Sequence, residues 1–179
     1  MLAFAVKALS AVSMLALTTM AAVWPASAAA AASPSAAQEH AAVLKAERSR
    51  SLWATVNVCN TRAHHDQVGI RGEMPALGFP ARLEMTVQLT YLDSVTGHYA
   101  PVPGAQTRIQ LGTVTHGDVQ DGALFRFRPT VTLQGKVTFT WSRDGRTLGS
   151  VTRATSGRHR GVADADPRGF SAATCRIAG

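Results

Sequence analysis

From Leu52 onward, apolar and polar residues alternate with a period of two, the pattern of strands that bury one face. Leu52, Ala54, Val56 and Val58 alternate with Trp53, Thr55, Asn57 and Cys59, so the first strand has something to bury on both faces. Val68 and Ile70, around Gly69, predict a short second strand ended by Gly72 and Pro75. The clearest alternation runs over 82–92. Leu83, Met85, Val87, Leu89 and Tyr91 face one side, and Arg82, Glu84, Thr86, Gln88 and Thr90 face water on the other. Residues 99–102 form a segment that Pro101 confines to a sheet edge, and 107–114 the next strand, with Ile109 and Leu111 inward. Ala123, Phe125 and Phe127 alternate before Pro129, and Val131 and Leu133 continue after it. Val137, Phe139 and Trp141 lead into Asp144-Gly145, the two-residue signal of a tight hairpin. The returning strand, 146–153, carries a bulge at Gly149, because Leu148 and Val151 differ in parity. A Gly-, Asp- and Arg-rich loop over 154–169 precedes a last strand, 170–177. Eight or nine short strands with almost no helix predict an all-β fold: an immunoglobulin-like antiparallel β-sandwich over residues 52–179.

The chain before residue 52 follows another pattern. Residues 33–51 are polar and Ala-rich, with fair helix formers but only Val43 and Leu44 as sizeable apolar residues. So narrow an apolar face has little to dock, and 29–51 is read as a flexible or partly helical linker. Further upstream, Lys7 precedes an uncharged run over 8–23, then Pro25 and Ala26-Ser27-Ala28. This predicts a signal peptide, 1–28, cleaved after Ala28, with Ala30 and Ala32 as the alternative sites. The run is short for a hydrocarbon core of ~30 Å and rich in weakly inserting Ala, Ser and Thr, so the expectation is secretion with no membrane span after cleavage.

Export changes the meaning of the cysteines. In an exported chain an even count reads as a disulfide, and two cysteines allow one intramolecular pairing, Cys59 with Cys175. Neither has a second Cys or a His at metal-ligand spacing. Charge is uneven. Between Arg126 and Arg176 nine Arg and one Lys face only Asp144, Asp164 and Asp166, a field that favours anionic partners.

The stretches WATVNVCN, VGIRGEMP, VTFTWSRDGRTLGSVTRAT and ADPRGFSAATCRI resemble a group of secreted actinobacterial proteins of undefined function. That group has Ig-like domains with one cysteine near each end. The resemblance implies the sandwich and the Cys59–Cys175 bridge; it supplies no activity and no site residues.

Candidate chemistry is sparse. His64, His65 and Asp66 cluster after the first strand, with His116 and Asp118 in another loop, but adjacent histidines diverge and four ligands at fixed spacing are missing. The nucleophile elbow of a serine hydrolase is absent from the Phe170-Ser171 region, and the carboxylates are poorly placed for glycoside chemistry. No helix opens on a Gly-rich phosphate cradle. The reading is therefore a non-catalytic module that needs no cofactor and no metal. Its candidate anion-binding residues are Arg153, Arg158, Arg160 and Arg168, in or beside the long loop, since long unstructured loops are usually functional or disordered. The partner expected is an anionic polysaccharide or a protein at the cell surface, with nucleic acid set aside. A small secreted hydrolase, or an inhibitor of an extracellular enzyme, is the alternative; a mobile, solvated loop is the competing account of the arginines.

Overall fold

Eight strands follow one helix in a computed structural model that describes residues 33–177: α1 (Ala36–Glu47), β1 (Trp53–Cys59), β2 (Gln67–Pro75), β3 (Ala81–Leu92), β4 (Tyr99–Val114), β5 (Asp118–Arg126), β6 (Val131–Arg143), β7 (Arg146–Ala154) and β8 (Cys175–Ile177). The signal peptide expected over 1–28 lies outside the described residues.

All strand pairs are antiparallel and form two sheets, β1-β2-β5 and β4-β3-β6-β7, with β8 also pairing β6. The seven-stranded Ig arrangement sets strands one, two, five and four against three, six and seven. Here the fourth strand has moved to the other sheet. The core lies between the sheets. Val56, Val68, Ile70 and Met74 of the smaller sheet meet Leu83, Met85, Val87, Leu89, Val137, Phe139 and Trp141 of the larger, all buried. The Trp141 indole donates to the Pro75 carbonyl at 2.9 Å, which satisfies its one polar atom inside the core.

The period-two reading places β3 and the second half of β6 as observed, and Asp144 and Gly145 take the positive φ, 51° and 77°, of the hairpin between β6 and β7. The bulge predicted at Gly149 is present, because Trp141 pairs Gly149 while Ser142 pairs Thr147. Two pairs of predicted segments merge. Residues 99–102 and 107–114 are both parts of β4, an edge strand, as Pro101 requires. They are joined through a bulge that the Gln88 amide plugs by donating to the carbonyls of Val102 and Ala105, each at 3.1 Å. Val131 and Leu133 begin β6 and do not extend β5.

The stretch 33–51, read as a flexible or partly helical linker, contains a docked helix. Ser35 caps α1 in a reciprocal box with Gln38. The helix packs on β7 through Val43 and Ala46, and Val43 fills the space left by Gly149, where a Cβ would come within 2.3 Å of it. The missing apolar width is supplied by charge. Glu39 is buried, and its two oxygens face Arg143 at 3.5 Å and Arg146 at 2.5 Å. Removing a carboxylate from such a site strands the cations that it neutralises. Glu39→Ala is expected to lower unfolding free energy by about 2 kcal/mol, with Glu39→Gln less costly. Urea denaturation of both variants checks this, and wild-type stability for Glu39→Ala would mean that the helix does not depend on the pair.

The last strand is shorter than expected. Only Cys175–Ile177 pairs β6, while Ala172 bridges Val56 on β1. The C-terminal segment therefore runs from the edge of one sheet to the other, and Cys59–Cys175 joins the two sheets covalently there, with Cα atoms 5.3 Å apart.

Candidate functional site

The outer face of the small sheet presents a polar row. Trp53, Glu73 and Gln120 stand opposite one another on β1, β2 and β5. The Trp53 indole donates to Glu73 Oε1 at 3.1 Å and the Gln120 amide to Glu73 Oε2 at 2.6 Å. Burial pushes the Glu73 carboxyl above its ordinary value, with Asp118 adding to the rise and these two hydrogen bonds opposing it.

The chain after β7 is laid across this row. His159 stacks on Trp53 with ring centroids 4.6 Å apart and planes 14° from parallel. Gln120 donates to the Gly161 carbonyl at 3.1 Å and accepts from the Ala163 amide at 2.9 Å. Asn57 donates to the carbonyls of Ala163 and Asp164, at 3.3 and 3.0 Å, across Gly69, where a Cβ would strike its side chain. Thr55 holds Ser171 at 2.8 Å and donates to the Ala172 carbonyl at 3.1 Å. Arg71 pairs with Asp164, and Thr61 donates to Asp166. Ladder-like backbone bonds complete the attachment: Ser156 N to Ala54 O, Asp166 N to Asn57 O, and a reciprocal pair between Val56 and Ala172. The segment is thus a fixed cover over both the face and the free edge of β1. An open edge of this kind is a template for aggregation, and such a cover removes it. The buried polar residues Thr55 and Asn57, within an otherwise apolar strand, are the sequence signal for it.

Of the four candidate arginines, Arg158, Arg160 and Arg168 are exposed and, among the described residues, make no ion pair or side-chain hydrogen bond. Arg153 is different. It is half-buried on β7 and donates to the Glu47 carbonyl at 2.8 Å, which satisfies an orphan acceptor at the C-terminus of α1. Its place is in the helix dock, apart from the other three. Arg158 and Arg160 flank the pinned His159, so the stack on Trp53 fixes the backbone from which both extend.

The histidine loops are separate structures. His64 faces Gln67 at 3.3 Å and Asp166 at 3.9 Å, His65 faces Asp66 at 3.2 Å, and His116 lies in the turn between β4 and β5. Among the described residues no three His, Cys, Asp or Glu side chains are grouped to hold a metal. A Ser–His contact does occur: Ser156 Oγ lies 2.8 Å from His159 Nε2, and burial holds the imidazole below its ordinary value of 6.5. A nucleophile of this type needs a third group that orients the base. Among the described residues no carboxylate pairs with His159, and its ring is stacked on Trp53, so the contact clasps the cover.

Among the described residues no helix is long and apolar enough to cross a membrane. No protein-family model matches the chain, and no curated protein matches it. Among solved structures it is similar to one from Bacteroides fragilis assigned as a β-galactosidase, at 11% identity and a TM-score of 0.31. The match covers 62% of this chain and 17% of that one.

Proposed function

We propose that this protein is a secreted, non-catalytic Ig-like module that binds an anionic polymer outside the cell through Arg158, Arg160 and Arg168. The observation that carries the proposal is the stack of His159 on Trp53, which holds the flanking arginines on an attached backbone. Exposed guanidinium groups without partners leave every donor available to carboxylate, sulfate or phosphate oxygens. A prior attachment reduces the ordering cost of binding. Secretion is supported by the targeting pattern over 1–28, by the disulfide, and by the resemblance to secreted actinobacterial proteins. The formal charge of +7, of which Lys7 in the targeting segment carries one unit, adds a general attraction to polyanions.

The test is a titration of the purified protein with an acidic polysaccharide such as alginate or heparin. Binding is expected at 0.01 M salt, where the Debye length is ~30 Å, with loss toward 0.15 M, where it is ~8 Å. Absence of binding at low salt to carboxylated, sulfated and phosphorylated polymers alike would overturn the proposal.

A further inference from the structure

The outer face of the larger sheet holds a groove of about 1060 Å³ that lies across β3, β4, β6 and β7. Its volume stands at the upper end for sites that hold compact organic ligands. Apart from Pro80, Ala81 and Gly145 the lining is hydroxyl, amide, carboxylate and guanidinium, with no aromatic residue and no branched aliphatic side chain. An apolar ligand would gain nothing there.

The polar groups stand in rows set by the strand register. One row is Arg108, Thr86 and Thr138, continued beside the groove by Thr152; the next is Gln110, Glu84 and Thr140, continued by Ser150. Neighbours along a row are about 4.8 Å apart, the spacing of paired strands. Thr138 and Thr152 share a hydrogen bond of 2.8 Å, and Thr140 and Ser150 one of 3.2 Å. In each such pair one hydroxyl donates, and the other keeps its own O–H free for a ligand.

The charge balance narrows the occupant. Glu84 is held by Arg108 at 3.1 Å and by the Gln110 amide, and Arg143 faces Asp144 at 3.5 Å and Glu39. Only Arg82, exposed on β3, has no partner among the described residues. A face with one unpaired charge, Arg82, and its hydroxyls in register matches a ligand that is itself uncharged and rich in hydroxyls, to whose oxygens Arg82 can donate. We propose that this groove binds a neutral polysaccharide chain. The site is independent of the arginine cover on the opposite sheet, and a bound neutral chain carries no charge for salt to screen.

The experiment is affinity electrophoresis of the full protein through gels containing hydroxyethylcellulose, dextran or a soluble β-1,3-glucan, repeated as titrations in 0.5 M salt. At least one polymer is expected to bind, with an affinity that salt leaves unchanged. The double variant Thr138→Val, Thr140→Val keeps β-branched side chains and removes two hydroxyls, and should weaken that binding about tenfold. Arg82→Gln supplies a second variant, expected to weaken it with the strands untouched. The triple replacement of Arg158, Arg160 and Arg168 by Ser should leave it unchanged. No binding by any of the three neutral polymers would overturn the proposal, as would binding that survives both groove variants. A protein that binds acidic polymers alone would fail this inference and leave the arginine site standing.

Discussion

Replacing Cys59 and Cys175 together by Ala is expected to lower the unfolding free energy by about 2–5 kcal/mol. The bridge closes a sequence separation of 116 residues, and on the chain-entropy model a loop of that size restricts the unfolded chain by about 4.7 kcal/mol. The native state loses as well, because Cys175 is buried at the start of β8, between the loop that covers β1 and the strand that pairs β6. Without the bridge, the β8 pairing rests on three residue pairs. Urea denaturation of wild type and variant at matched slopes measures the difference. A change below about 1 kcal/mol would mean that strand pairing alone secures the C-terminal segment.

The second expected effect is local. Asn57→Ala removes both donations to the carbonyls of Ala163 and Asp164 and leaves them against the outer face of β1 without a donor. The cover should then open more often, and trypsin should cut after Arg158 and Arg160 about 10–100-fold faster than in wild type. The core on the other face of β1 keeps its contacts, so the thermal midpoint should move little. The products should stay joined until reduction, since the cuts fall between Cys59 and Cys175. Equal cleavage rates in both proteins would show that the cover does not depend on Asn57.

Both effects fall where the sequence was least and most legible. The disulfide followed from an even cysteine count and an export pattern, and the alternation over 82–92 and 136–142 assigned the inner faces of β3 and β6. Asp144-Gly145 marked the hairpin, because few other residue pairs tolerate two positive φ values in succession. The docked helix was hidden because hydropathy counts Glu39 as polar, while its partners, Arg143 and Arg146, lie more than 100 residues away. The order of the loop was hidden for a related reason. Its composition is that of a solvated turn, and its attachment comes from Thr55, Asn57 and Gln120 on distant strands, which bond to its backbone regardless of its side chains. Arg153 read as one of four equal charges until its carbonyl partner on α1 separated it from the rest.

The central claim is that three placed arginines, and not net charge, hold the anionic partner. The most direct measurement compares two variants of equal charge in a titration with the same acidic polysaccharide at 0.01 M salt. One replaces Arg158, Arg160 and Arg168 by Ser; the other replaces Arg48, Arg50 and Arg82, which are exposed after α1 and on the larger sheet. The account predicts loss of binding in the first and near wild-type affinity in the second. Equal losses in both would contradict it, because net charge alone would then explain the binding.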